Sequence, residues 1–189
     1  MAPPTVLVPM ATASEELEAI AIINILRRGG CDVTVACVED SPSLSVKCAR
    51  GVTVGCDAAL SECTDKDWDA IILPGGMPGA KVLSQRTLLI GMLHAQKQAG
   101  KWYGAICAAP AVVLLEHGLL PTNATCHPGF EAKLIEQGVQ GVQERVVVDV
   151  GTKCVTSRGA GTAIEFALKL VELLVSKEEA DKVASAIVF

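Results

Sequence analysis

Short apolar runs of strand length alternate along this chain with longer stretches whose apolar positions recur at helical spacing. Thr5–Met10, Asp32–Val38, Ala70–Leu73 and Trp102–Ile106 are the strand candidates. Glu15–Arg28 has a helical pattern, with Ser14 or Thr12 as the expected N-cap, acids in its first turn and Gly29-Gly30 after its end. Val46–Asp57 predicts one or two short strands around Arg50-Gly51, and Leu83–Gly100 a stretch that is mostly helix. Ala108–His117 predicts a helix directly after a strand, Asn123–Cys126 a strand end, and Phe130–Glu136 another helix. Arg145–Val150 and Lys153–Thr156 predict a β-hairpin around Gly151-Thr152. Thr162–Ser176 is a strongly apolar helix and Lys177–Ser185 a more polar one.

Strand–helix alternation over one domain length implies an α/β domain spanning residues 1–189, with a mainly parallel sheet and helices on both faces. Ligands of such sheets bind at the carboxyl ends of the strands. The turns there are Ala11–Ser14, Gly75–Gly79, Cys107–Ala109 and His127–Gly129. They place a thiol, an imidazole, a glycine pair and a nearby carboxylate on one edge, a set suited to covalent catalysis.

Composition narrows the picture. The chain has 189 residues, a formal net charge of −5 and only 3% aromatic residues, so a dedicated nucleic-acid binder is not expected. The N-terminus lacks the basic start and apolar run of a signal peptide. Ala105–Leu115, interrupted by Pro110, falls short of the roughly 20 residues of a membrane span. These features predict a soluble cytoplasmic protein, with the nucleus a second compartment open to it. Eight cysteines are present and no two have C-x-x-C spacing, so neither a zinc knuckle nor a redox pair is signalled in sequence. No metal or organic cofactor is expected.

One cysteine calls for its own reading. Cys107 lies in Gly104-Ala-Ile-Cys-Ala-Ala-Pro110, where a strand turns sharply into a helix. That is the geometry of a nucleophile elbow, with small neighbours permitting the bend and the helix N-terminus favouring thiolate. A small buried hydrophobe is the ordinary alternative. Glu18 sits among Leu17, Ile20, Ala21 and Ile22, on a face that looks buried, although an exposed acidic stripe has equal claim. A carboxylate beside a thiolate is repulsive unless a proton is shared, so Glu18 facing Cys107 would be the protonated partner. Gly75 and Gly76, with the N–H of Ala108, suit an oxyanion hole, or form an ordinary turn. His127 suits a base or orienter, or is a histidine in an irregular turn. Cys126 and Cys48 are candidate secondary oxidation sites, and Arg50 and Arg158 cations for an anion or a subunit contact.

Taken together, the chain resembles the ThiJ/PfpI superfamily, in particular its parkinsonism-associated deglycase branch with ThiJ-type bacterial relatives. The motifs are Glu15-Glu16-Leu17-Glu18, Leu73-Pro74-Gly75-Gly76, Ala105-Ile106-Cys107-Ala108, His127-Pro128, Thr156-Ser157-Arg158-Gly159 and Gly161-Thr162. The resemblance implies a flavodoxin-like three-layer sandwich and a homodimer, for which the first helix (Ile20, Ile23, Arg27, Arg28) is the expected face. It implies Cys107 as a nucleophile readily oxidised to sulfinate, Glu18 hydrogen-bonded to it, Gly75, Gly76 and Ala108 lining an oxyanion site, and His127 nearby. The implied activities are a cofactor-independent glyoxalase or deglycase acting on methylglyoxal, glyoxal and early glycation adducts. A redox-sensing chaperone without relevant turnover is the alternative. Peptidase and amidotransferase activities lose weight, because Ala108 follows the nucleophile and no His-x-Glu pair lies downstream. Many relatives carry proline after the Arg-Gly pair, where this chain has Ala160.

Overall fold

The computed structural model describes residues 2–39 and 43–189. Its seven-stranded sheet is built from β1 (Thr5–Met10), β2 (Asp32–Cys37), β5 (Ala58–Ala59), β6 (Ala70–Leu73), β7 (Trp102–Ile106), β8 (Val146–Asp149) and β9 (Cys154–Ser157). The order is β5-β2-β1-β6-β7-β9-β8, parallel throughout except for β8, which runs antiparallel to β9. A small antiparallel hairpin, β3 (Ser45–Lys47) with β4 (Thr53–Gly55), stands apart from the sheet.

The period-two geometry of strands divides the core in two. Val6, Val8, Met10, Val33, Val35 and Ile72 face α1 (Glu16–Arg28), α5 (Ala163–Leu174) and α6 (Lys177–Ala186). Leu7, Ile71, Leu73, Tyr103 and Ala105 face the other way, toward α2 (Gly79–Ser84), α3 (Thr87–Gln98) and the turn after β7. Both faces of the central strands are thus covered, which is why these strands read as continuous apolar runs. The short helix α4 (Glu131–Glu136) packs beside the turn after β7.

Helix α1 presents Ala19, Ile22, Ile25 and Leu26 to the core. Each large aliphatic side chain buried there contributes about 1.5–3 kcal/mol. The helix is capped by Glu15, whose Oε2 accepts the Glu18 N–H at 2.8 Å, and not by Ser14 or Thr12. Those hydroxyls are engaged elsewhere: Ser14 Oγ accepts the Ala11 N–H at 3.1 Å, and Thr12 Oγ1 donates to Glu39 Oε2 at 2.6 Å.

Other departures from the expected elements are local. The Leu83–Gly100 stretch is two helices, α2 and α3, broken at Gln85-Arg86. Asn123 makes only an isolated bridge to Gln140, so no strand forms over Asn123–Cys126. The element after Cys107 is π-helical over Pro110–Leu115 rather than α-helical. Wide helical turns of this kind concentrate at functional sites. Among the described residues, no helix is long and apolar enough to cross a membrane.

Candidate active site

Cys107 directly follows β7 with φ at +66°, a left-handed conformation costing a non-glycine residue about 1–2 kcal/mol. Two backbone hydrogen bonds hold it there. Its N–H donates to Ser157 O on β9 at 3.0 Å, and its carbonyl accepts the His127 N–H at 2.7 Å. Neighbouring side chains must be absent for the bend to fit. A Cβ on Gly75 would lie 2.5 Å from Cys107 Cβ and 2.7 Å from Ile106 O.

Glu18, in the first turn of α1, is fully buried beneath this bend. Its Oε2 accepts the Gly75 N–H at 2.9 Å, while Oε1 is buried with no partner of hydrogen-bonding geometry. The carboxyl and the Cys107 thiol lie close enough to perturb each other's ionisation. Burial raises Glu18 to about 7, against the pull of Cys107 and the Gly75 N–H. Burial and then the Glu18 charge push the Cys107 thiol up to about 12, while the N–H groups of Gly76 and Ala108, directed at the sulfur, pull it down.

The thiol pKa is therefore raised, where the helix N-terminus alone predicts it lowered. Desolvation and a facing carboxylate outweigh a terminal dipole. The pair is one titrating unit, and its singly protonated form is either thiol–carboxylate or thiolate–carboxylic acid. With the carboxyl at about 7 and the thiol at about 12 the shared proton rests on sulfur, the first form, while the two backbone donors pull toward the second, reactive form.

His127 is exposed, and its Nδ1 accepts the Gly129 N–H at 3.1 Å, which leaves Nε2 as the proton-bearing nitrogen of the neutral ring. Its segment is tied to β9 by the Thr125 N–H, which donates to Thr156 Oγ1 at 2.9 Å. Sequence reasoning missed what lies between these groups. A Cβ on Gly159 would sit 3.6 Å from His127 Cδ2, 3.9 Å from Cys107 Sγ and 3.9 Å from Glu18 Oε1. Gly159 is the bare floor shared by all three side chains. Thr162 Oγ1 fixes it, donating to Gly159 O at 2.9 Å and accepting the Gly159 N–H at 3.1 Å. The Arg-Gly pair within a motif was the available signal, but the space it leaves depends on three distant segments.

The remaining candidates fall outside this cluster. Cys126 is buried, and burial raises it to about 11. Burial, then Glu16 and Glu15, raise Cys48 likewise to about 11. Arg158 is paired with Glu131 and donates to Gln143 O. Arg50 is exposed, and its backbone N–H is held by the Glu16 carboxylate at 2.8 and 3.0 Å.

Residues 4–173 match the DJ-1/PfpI family. Protein DJ-1 homolog A of Arabidopsis thaliana is 45% identical over 96% of this chain, which spans only 45% of that longer protein. Glutathione-independent glyoxalase DJR-1.2 of Caenorhabditis elegans is 40% identical over 88% of this chain and 86% of its own length. The structure of oxidized DJ-1 from Toxoplasma gondii superposes with a TM-score of 0.92, at 45% identity and 98% coverage of both chains.

Proposed function

This chain belongs to the DJ-1/PfpI family, and on that premise we propose that it is a cofactor-independent, cysteine-dependent glyoxalase that also reverses early aldehyde adducts. The observation that carries the proposal is the buried Glu18–Cys107 pair with a bare floor at Gly159 beside it. The glyoxalase name of the 40% identical nematode relative supports it.

In the proposed reaction the Cys107 thiolate attacks the aldehyde carbon of methylglyoxal, and the carbonyl electron pair becomes an oxyanion. The N–H groups of Gly76 and Ala108 stabilise that charge. The Glu18 carboxylic acid donates its proton to the oxyanion, giving a hemithioacetal. The resulting carboxylate takes the proton from the former aldehyde carbon and returns it to the adjacent carbon, while the hemithioacetal hydroxyl proton passes to the former ketone oxygen, leaving a lactoyl thioester. Water cleaves the thioester, releasing lactate and restoring the thiol. His127, across Gly159, orients the ketone oxygen. On a glycated thiol or amine the same attack releases the repaired group.

We assign the protein to a homodimer formed through α1. Leu17 and Ile20 are exposed apolar side chains on that helix and support this face, whereas Ile23 is buried in the subunit's own core.

The test is lactate formation from methylglyoxal by metal-stripped protein and by Cys107→Ala. Turnover by the first and its loss in the second are expected. Full activity of Cys107→Ala would sink the mechanism. A second reading, an oxidation sensor, is favoured by the unpartnered Glu18 Oε1, since a protonated carboxyl donates well to a sulfinate oxygen. Selective gain of two oxygens at Cys107 under mild peroxide, with negligible aldehyde turnover, supports that reading instead.

A further inference from the structure

Of Cys107, Glu18 and His127, only His127 is exposed and carried by an irregular turn. Two hydrogen bonds hold the chain leading up to its ring, the Thr125 N–H on Thr156 Oγ1 and the His127 N–H on Cys107 O. From His127 onward the turn is stiff in itself. The Phe130 N–H donates to His127 O at 2.8 Å, and the Glu131 N–H donates to Pro128 O. The Phe130 ring stands edge-on to the imidazole, with centroids 6.3 Å apart. His127 and Glu131 therefore move as one unit.

That unit is tied to the floor of the site by Arg158, the residue directly before Gly159. Arg158 Nη2 donates to Glu131 Oε1, and Nη1 donates to Gln143 O at 2.8 Å. The two charged side chains are 22% and 19% exposed, so water and salt screen them less than the ion pairs along α6. Helix α4 has its own seat, because Leu134 packs on Ala111 and Cys126. The pair is therefore not needed to dock the helix. What it adds is a fixed distance between the His127 turn and the Gly159 loop.

We propose that Arg158 is a positioning residue for the glyoxalase reaction, a role that rests on that reading of the site: with Glu131 it clasps the His127 turn to the Gly159 loop and sets the gap in which the ketone oxygen of the substrate is held. Neither member of the clasp touches the substrate or the sulfur, and both act through His127.

The consequence is stereochemical. Glu18 is buried on one side of the site and returns its proton to the substrate from that side. Which face of the receiving carbon it meets depends on how the ketone oxygen is held. With the clasp closed, His127 holds that oxygen across Gly159 and one enantiomer of lactate forms. With the clasp open, the imidazole drifts from Gly159 and the two faces become equivalent. The handedness of the product thus reports the clasp, whereas a pair that only stabilises the fold leaves it unchanged.

The test compares the full chain with Arg158→Gln, Glu131→Gln and the double variant, using methylglyoxal as substrate and resolving the lactate enantiomers. The parent is expected to favour one enantiomer, and each single variant to give a nearly equal mixture. In the variants kcat falls by roughly tenfold, short of the roughly 100-fold cost of a misplacement of about 1 Å. The double variant is expected to be no worse than either single one, because the clasp can be lost only once. Cys107 should keep its parent rate of alkylation by iodoacetamide. A second readout needs no turnover: amide hydrogen exchange at His127 should quicken by roughly tenfold in each variant. Should Arg158→Gln fold poorly, Glu131→Gln decides, since it changes only a partly exposed side chain at the start of a short helix. An unchanged enantiomer ratio in the variants, a racemic product from the parent, or additive losses in the double variant would each overturn the proposal. If the parent makes no lactate at all, the glyoxalase reading fails by itself, and unchanged exchange at His127 would then overturn the clasp separately.

Discussion

Gly75 and Cys107 back onto one another so closely that a β-carbon on the glycine would stand 2.5 Å from the β-carbon of the cysteine. The same hypothetical atom would lie 2.7 Å from Ile106 O and 2.8 Å from Glu18 Oε2. Two of these three neighbours have no freedom to move aside. Gly75→Ala is therefore expected to lose about 2 kcal/mol of stability and nearly all activity. Urea unfolding, followed by fluorescence of the buried Trp68, measures the first quantity and lactate formation the second.

Replacing Glu18 with Gln keeps the shape and removes the proton that the pair shares. The Gln amide can still face the sulfur but cannot deliver or reclaim a proton. Turnover is expected to fall by roughly 10²–10⁴-fold, the usual worth of a positioned acid–base group. The Cys107 thiol, relieved of the facing carboxylate, is expected to ionise at lower pH in this variant. The pH dependence of iodoacetamide labelling at Cys107 reads that shift, and an unchanged midpoint would contradict the coupling.

Stability should carry the mark of the same carboxyl. The folded-state value of Glu18 is raised from 4.5 to about 7, so the folded chain binds more protons than the unfolded chain between those limits. Stability from this group is full below pH 4.5, falls as pH rises toward 7 and is flat above it. The loss is of order 3 kcal/mol at 1.36 kcal/mol per pKa unit. Glu18→Gln is expected to flatten that slope, which unfolding curves of both proteins at pH 5 and pH 7.5 would show.

Gly159 offers a cleaner separation of fold from chemistry. Its backbone is extended, and a methyl group there would meet its three neighbours at ordinary contact distance. Gly159→Ala is expected to stay within about 1 kcal/mol of the parent. Yet the methyl occupies the space between Cys107, Glu18 and His127, so methylglyoxal turnover should drop roughly 100-fold. Cys107 should still accept a small alkylating agent. Full turnover in this variant would remove Gly159 from the substrate's path.

The strands were legible because burial on both faces writes them as unbroken apolar runs, as in Ile71-Ile72-Leu73. Strand β5 was not, since Ala58-Ala59 is too short to show a period. The cap of α1 misled because Ser14 is the better cap by type, whereas its hydroxyl is claimed by Ala11. Cys107 was visible through its small neighbours, Gly104 to Ala109, which only a tight bend requires. The acidity of its sulfur was not visible. It depends on a carboxyl contributed by another element, and only folding brings α1 beneath β7. The π-helical turn was hidden for a different reason, since the same apolar sequence satisfies an α-helix or the wider coil.

Both main-chain groups of Cys107 are already committed, one to Ser157 and the other to His127. An adduct or an oxygen added to the sulfur therefore finds no hinge in the peptide to turn. Whatever happens there is insulated from the scaffold, and the chain keeps no memory of a completed turnover. News of the sulfur's state leaves through the side chains and loops around it, inward through Glu18 to α1 and outward through the His127 ring and the loop at Gly159, and of these the exposed His127 rim is where a listener in solution would sit.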